Sequence, residues 1–122
     1  MPTVNEVMER VDRIKPNAFE EPCKAGWLME LDGRVYEELT KSDAPEALPP
    51  GKWPEDGDKK LLVSPPYDNM YDLYLTAMIE FAQGEYSAYN NTAALFDRAW
   101  EDYRAKYRRE HLPKASHLQN VF

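Results

Sequence analysis

Apolar residues recur at helical spacing along four stretches of the chain. The spacing predicts helices at residues 3–14, 21–41, 68–89 and 91–110. The third helix is apolar around most of its circumference and leaves only a narrow polar seam, formed by Asp72, Thr76, Glu80 and Gln83. A surface helix normally shows one apolar stripe, so a helix of this kind is wrapped by its neighbours. We therefore predict an all-α fold, a small four-helix bundle with residues 68–89 as its central and most buried helix.

The first two helices carry single apolar stripes. The first stripe consists of Val4, Val7, Met8, Val11 and Ile14. The second consists of Trp27, Leu28, Leu31, Val35 and Leu39. Gly26 and Gly33 lie inside the second helix, where each costs on the order of 1 kcal/mol against alanine. Close packing against another helix is the expected reason for both glycines.

Capping residues and prolines mark the ends of the helices. Thr3 and Glu6 have the spacing of a capping box, and Pro16 ends the first helix. Asp68 is the expected N-cap of the third helix. The asparagines at 90–91 are expected to separate the third helix from the fourth. The fourth helix then places an apolar face on the bundle, formed by Leu95, Phe96, Ala99, Trp100, Tyr103 and Tyr107.

A long proline-rich loop, residues 42–66, joins the second and third helices. A loop of this length is uncommon in a compact domain and is often functional. We expect residues 61–63 to pack on the bundle with Trp53 rather than to form a strand. Two interpretations of the loop remain open, a surface arm of the subunit itself and an arm that reaches a neighbouring subunit. The chain is thus divided into a helical domain, 1–112, and an extended C-terminal tail, 113–122.

Charge is unevenly distributed along the sequence. The formal net charge is −7, which argues against general nucleic-acid binding. The last quarter of the chain, residues 98–122, is nevertheless basic, with six Lys and Arg residues against three Asp and Glu residues. Basic residues late in a helix complement its dipole. The sequence leaves open whether this basic end on an acidic body has a role beyond that.

The sequence shows no catalytic constellation, so we predict a protein that is not an enzyme and that uses no cofactor or metal. His111 and His117 lack a carboxylate or thiol at useful spacing, and a structural or solvated role is expected for both. Cys23 is the only cysteine and is expected to be a partly buried thiol. The opening residues do not resemble a signal peptide, and no apolar run reaches the roughly 20 residues of a membrane span. We therefore expect synthesis in the cytoplasm and no membrane contact.

Three segments together resemble the small head-completion proteins of tailed bacteriophages and prophages, also called head–tail connectors or neck adaptors. The segments are residues 4–19, 61–91 and 95–114. They contain, in this order, the sequences Lys-Pro-Asn-Ala, Pro-Pro-Tyr, Gly-Glu-Tyr, Tyr-Asn-Asn and Arg-Glu-His-Leu-Pro. The joint order of these short sequences is a specific sign of the family, whereas any one of them alone is a weak sign. Residues 42–60 match no part of the family pattern.

The resemblance implies a structural virion protein of the phage neck, made in the host bacterial cytoplasm. Such a protein forms a ring of about twelve copies between the portal and the stopper or tail-side protein. The ring completes the head and extends the channel through which DNA passes without sequence-specific binding. An acidic channel wall would repel phosphate.

The resemblance also implies two sets of contact residues. The expected portal-binding residues are Arg104, Arg108, Arg109, His111, Leu112, Pro113, Lys114, Leu118, Val121 and Phe122. The expected subunit–subunit residues are Trp53, Leu61, Leu62, Tyr86 and Tyr89. The tail that ends on Phe122 is either a frayed terminus or an anchor inserted between portal subunits.

A second hypothesis belongs to another class of protein. The chain would then be a stand-alone helical binding or regulatory module that uses exposed aromatic residues as a groove. Tyrosine and tryptophan are enriched in interfaces of both kinds. A ring that forms on the portal favours the adaptor, whereas a tight dimer that forms without a portal favours the regulatory module.

Overall fold

A computed structural model describes residues 2–41, 53, 55, 57, 58 and 60–110 of the chain. This part of the chain contains four α-helices, α1 (Val4–Ile14), α2 (Glu21–Lys41), α3 (Asn69–Ala82) and α4 (Tyr86–Glu110). The β-pairing within it is limited to one isolated antiparallel bridge between Thr3 and Lys60. The predicted all-α class and the number of helices are confirmed.

α3 is the helix on which the other three pack. It contacts α1, α2 and α4, whereas the backbone of α4 approaches only α3. Side chains along α3 that are fully buried are Met70, Tyr71, Leu75 and Ile79. These side chains join the buried stripes of α1 and α2 in one hydrophobic core. The prediction of a central helix wrapped by its neighbours is therefore confirmed for residues 69–80.

The boundary between α3 and α4 differs from the prediction. α3 ends at Ala82, and Gly84 has a φ of 78°, a conformation that glycine adopts without steric cost. The Gly84 N–H donates to the carbonyl of Phe81 at 3.1 Å, and the Glu85 N–H donates to the carbonyl of Glu80 at 2.9 Å. This pair of hydrogen bonds is a Schellman motif, which satisfies carbonyls at the helix end. Residues 90–91, expected to separate the helices, lie inside α4 instead.

The N-terminus of α1 has Thr3 as its N-cap residue, as the sequence predicts. The Glu6 N–H donates to Thr3 Oγ1 at 3.1 Å, as a capping box requires. The Glu6 carboxylate, however, accepts from the Thr3 hydroxyl rather than from the Thr3 N–H. At the other end of α1, Ile14 is 81% exposed, so its predicted place in the core is wrong.

The polar seam of α3 faces α1. Arg10 Nη2 donates to Asp72 Oδ1 at 2.7 Å, and Arg10 Nη1 lies 3.5 Å from Asp68 Oδ2. Asp68 makes no side-chain cap at the start of α3, because its carboxylate is turned toward the arginine. Further along the seam, Lys15 Nζ lies 3.4 Å from Glu80 Oε2. The seam thus lies between α3 and α1. Its carboxylates are paired with Arg10 of α1 and with Lys15, the C-cap residue of α1.

The segment before α3 packs on the core, as expected. Leu61 and Val63 are buried, and Leu62 is half-buried. Their backbone is held by a buried polar group in which Asp32 Oδ1 accepts from the Leu62 N–H at 3.1 Å and from the Tyr71 hydroxyl at 2.7 Å. The same hydroxyl accepts from the Val63 N–H at 2.9 Å. This hydrogen-bonded group joins α2, α3 and the end of the proline-rich loop.

Three described residues earlier in the proline-rich loop, Trp53, Gly57 and Asp58, contact Asn5 in α1 of their own chain. Trp53 Nε1 donates to Asn5 Oδ1 at 3.3 Å, and Asn5 Nδ2 donates to Asp58 Oδ1 at 3.0 Å. The Asn5 N–H donates to the carbonyl of Gly57 at 3.2 Å. This arrangement fits a surface arm of the subunit itself better than an arm that leaves it.

Close packing does not explain the two glycines of α2. A Cβ atom added to Gly26 or Gly33 would meet nothing within 4 Å. The expectation that another helix approaches closely at these positions is therefore wrong.

Candidate functional site

The last turns of α4 carry the basic residues that the sequence assigned to portal binding. Two basic side chains along this stretch, Arg104 and Lys106, make contacts within the subunit. Arg104 lies 2.9 Å from Glu101 and 3.5 Å from Glu38 of α2, and its guanidinium lies 5.9 Å from the centre of the Trp100 ring. Lys106 lies 3.3 Å from Glu110 and 5.3 Å from the centre of the Tyr67 ring. Cation–π contacts of this kind hold a helix in place.

The other two basic residues are available to a partner. Arg108 is exposed and lies 4.0 Å from Glu101, the limit of an ion pair. Arg109 is exposed, and no carboxylate of the described residues lies within ion-pair distance of it. The remaining predicted portal-binding residues, at positions 111–114, 118, 121 and 122, lie outside the described residues. Among the predicted portal-binding residues that the structure describes, Arg108 and Arg109 are therefore the exposed ones.

A row of aromatic rings holds α4 to α3 and to Tyr67, which precedes α3. Phe96 packs on Tyr74 with ring centres 5.3 Å apart, and Tyr103 packs on Tyr67 at 6.0 Å. Tyr103 is the buried member of α4, and its burial raises the pKa of its phenol to about 12. Contacts between rings and the ion pair of Arg104 with Glu38 of α2 therefore fix the position of the basic end.

The turn between α3 and α4 exposes a second cluster of rings. Phe81 is 52% exposed and Tyr86 is 59% exposed. Phe81 lies edge-on to both tyrosines of this cluster, 5.6 Å from Tyr86 and 5.2 Å from Tyr89. Tyr86 and Tyr89 were predicted as subunit contacts. The exposure of Phe81 was not predicted, because its spacing on α3 placed it in the apolar stripe of the core.

Two sequences that carry the family resemblance meet at this turn. Lys15, from Lys-Pro-Asn-Ala, lies 2.7 Å from Glu85, from Gly-Glu-Tyr, and the pairing raises the pKa of Lys15. Asn17 of the same sequence donates to Asp12 Oδ1 at 3.0 Å and accepts from the Phe19 N–H at 3.1 Å. These residues build the corner between α1, α2 and α3, so their first role is structural.

The other predicted subunit contacts lie elsewhere. Leu61 is 2% exposed, so it belongs to the core of its own subunit and offers no surface to another copy. Leu62 and Trp53 are half-buried against the same core. Of the five predicted residues, Tyr86 and Tyr89 lie together, whereas Trp53, Leu61 and Leu62 lie at the loop that packs on α1 and α2.

An open groove of about 440 Å³ runs beside α1 and the start of α2. Three carboxylates line it, those of Glu9, Asp12 and Glu21. Asp12 is occupied by the buried Lys24 at 2.8 Å, and Glu9 pairs with Arg13. Among the described residues, no group of three or more His, Cys, Asp or Glu side chains is placed to hold a metal ion. Cys23 is exposed, contrary to the expectation of a partly buried thiol.

Within the described helices, none combines the length and the apolar character needed to cross a bilayer. Comparison of the chain with protein-family models gave no match. Comparisons with curated proteins and with solved structures gave no match either.

Proposed function

We propose that this protein is a structural adaptor of the bacteriophage neck, which forms a ring between the portal and the stopper or tail-side protein. The ring would complete the head and extend the DNA channel. The proposal begins from the order of short sequences shared with head-completion proteins. The structural observation that carries it is the exposed basic pair at the end of α4, Arg108 and Arg109, on a chain of net charge −7.

The geometry of α4 suits a docking element. α4 is the longest helix of the described residues, and its last turns pass the buried Tyr103 before they reach the basic pair. Arg104 and Lys106 are engaged with Glu38, Glu110 and two aromatic rings, which leaves Arg108 and Arg109 as the basic residues of the last turns of α4 that a partner can neutralise. An acidic portal surface is the partner that this charge pattern fits.

The acidic remainder of the subunit has a separate role in this proposal. A DNA conduit must pass a polyanion without retaining it, and a wall with excess carboxylates repels phosphate. A ring also requires each copy to contact two neighbours through different surfaces. The rings of Tyr86 and Phe81 at the α3–α4 turn are available for such a contact.

The test is co-sedimentation of purified protein with heads that carry the cognate portal. We expect the full-length chain to sediment with these heads and the double variant Arg108→Glu/Arg109→Glu to remain in the supernatant. The matched control is Arg13→Glu/Arg34→Glu, which reverses two exposed charges on α1 and α2. If both double variants sedimented with the heads as well as the unaltered chain does, the basic pair would be removed from the proposal. Failure of the unaltered chain to dock would remove the neck function itself.

A further inference from the structure

The first half of α4 carries no charge. From Tyr86 to Phe96 there is no Asp, Glu, Lys or Arg residue, although 30% of the chain is charged. Much of this half is nevertheless on the surface, including Tyr86 at 59% exposure and Leu95 at 53%. Depletion of charge together with exposed aromatic and aliphatic side chains is typical of the core of a protein–protein interface. The pattern marks this half of α4 as a contact surface.

The exposed apolar residues lie on opposite sides of the helix. Tyr86 and Leu95 are nine residues apart, which is about two and a half turns of an α-helix, so their side chains are half a turn apart. Phe81 extends the side of Tyr86, because the two rings are 5.6 Å apart. Ala88 lies seven residues before Leu95, about two turns, and therefore on the same side as Leu95. We name these the tyrosine flank (Phe81, Tyr86) and the leucine flank (Ala88, Leu95).

The side of α4 between the two flanks is already occupied. Phe96 packs on Tyr74 of α3 at 5.3 Å, and Tyr89 packs on Phe81 at 5.2 Å. α4 therefore lies on α3 along one face and presents an apolar flank on either side of that face. A helix placed in this way can contact a neighbour on its left and another on its right.

We propose that the tyrosine flank of one copy packs against the leucine flank of the next copy, so that the first halves of successive α4 helices form the subunit contact of the ring. A second copy is the partner that the charges favour. Two copies of a chain with net charge −7 repel each other, and an uncharged half-helix is a surface on which they can approach with little like-charge cost. Because the two flanks differ and face opposite ways, the contact is heterologous and continues from copy to copy.

This inference rests on the proposed ring and adds to it the two surfaces that meet. The two flanks are separate from the proposed portal contact, since Arg108 and Arg109 lie in the last turns of α4 and the flanks lie at its first turns. Docking and ring closure thus use different ends of one helix.

The test uses cysteine cross-linking of the full-length chain. Cys23 is first replaced by serine, because it is exposed and would react. Tyr86→Cys and Leu95→Cys are then made separately and together, and treated at high protein concentration with a short bis-maleimide. A mixture of the two single variants should give on the order of tenfold more dimer than either variant alone, and the double variant should give a ladder of higher oligomers. The control mixture pairs Leu95→Cys with Arg34→Cys, a position on the exposed surface of α2.

Two results would overturn the inference. Efficient dimerisation of Tyr86→Cys alone would show a two-fold contact, in which the tyrosine flank meets itself. Cross-linking of the Tyr86 and Leu95 pair no greater than that of the Arg34 control would show that the flanks do not meet. A ladder from protein that fails to sediment with portal-bearing heads would keep the contact and remove the neck function. Sedimentation with portal-bearing heads without any flank-specific cross-link would keep the neck function and remove the flank contact.

Discussion

Among the described residues, three side chains of the charged types are buried, Lys24, Asp32 and Glu80, and each is held by a different arrangement. Lys24 is paired with Asp12 at 2.8 Å across the corner between α1 and α2. Asp32 accepts hydrogen bonds from a tyrosine hydroxyl and a backbone N–H. Glu80 is 3.4 Å from Lys15, and its second oxygen has no hydrogen-bond partner among the described residues. Breaking a buried pair by removing one partner is strongly destabilising, so these positions fix how the helices meet.

The hydroxyl of Tyr71 gives a direct test of the buried polar group. Tyr71→Phe removes one donor to Asp32 and the acceptor for the Val63 N–H, so that the buried Val63 N–H loses its hydrogen-bond partner. We expect the free energy of unfolding in urea to fall by about 1–3 kcal/mol. Tyr74→Phe is the matched control, because its hydroxyl makes only a long contact of 3.4 Å with Glu30. Equal losses in the two variants would mean that the Asp32 group does not hold the segment before α3.

Burial of tyrosine makes the fold sensitive to alkaline pH. The pKa of Tyr103 is about 12 in the folded chain against 10.0 ordinarily, because desolvation disfavours the phenolate. Between these values the unfolded chain has lost the proton and the folded chain has not. The stabilisation is therefore complete below pH 10.0 and is lost as the pH rises toward 12.

Urea unfolding at a series of pH values from about 9 to 11 measures this loss. We expect the free energy of unfolding to decline over the range, and to decline less steeply in Tyr103→Phe by at most about 1.4 kcal/mol per pH unit. An identical slope in the variant and the unaltered chain would show that Tyr103 is not buried as described.

At the scale of elements, the apolar periodicity was sufficient to predict the number of helices, their order and the central place of α3. The end of α3 was not predictable from periodicity, since the apolar pattern continues without a break through Phe81 and Ala82 to Tyr86. The backbone conformation of Gly84 decides the boundary, and a glycine late in a helix is compatible with a continuation or an end. Periodicity alone was also insufficient for Leu95, which has the spacing of a core residue but is 53% exposed.

Tertiary contacts also overrode local signals. Asp68 has the right position for an N-cap, yet Arg10 from α1 draws its carboxylate away. Ile14 continues the stripe of α1, but the helix ends there and leaves the side chain in solvent. The sequence placed the basic residues of α4 together but could not show that Arg104 and Lys106 are engaged within the subunit.

Glycine substitutions test the revised helix boundary. Gly84→Ala should destabilise the fold by about 1 kcal/mol, because its φ of 78° is unfavourable for alanine. Gly26→Ala and Gly33→Ala should each stabilise it by a similar amount, because they lie inside a helix with open space at the Cβ position. Urea unfolding of the three variants measures both signs. Stabilisation by Gly84→Ala would mean that one helix runs through this position, as the periodicity first suggested.

At the scale of the whole molecule, α4 separates the contacts that the proposed ring requires. In that ring, its uncharged first half would face neighbouring copies and its basic end would face the portal, while its aromatic row holds α3. Residues 113–122 follow that end in the sequence and were predicted to form an extended tail. Leu118, Val121 and Phe122 give this tail apolar character, and burying the Phe122 ring in the portal would contribute on the order of 2 kcal/mol per copy.

Removal of the tail separates folding from docking. A chain that ends at residue 112 should keep the helical circular-dichroism signal and the unfolding midpoint of the full-length protein, because the described core lies within residues 2–110. The same truncated chain should fail to sediment with portal-bearing heads. Retained docking would mean that the tail is not the anchor and that Arg108 and Arg109 carry the contact alone. A lowered midpoint would show that the tail stabilises the subunit itself.

Electron microscopy of portal-bearing heads incubated with the full-length protein tests the central claim most directly. The proposal predicts added density in a closed ring of about twelve copies beneath the portal, while the protein left in solution is monomeric or weakly associated. Heads without added density, together with a tight dimer in dilute solution, would contradict the adaptor and favour a stand-alone helical binding module.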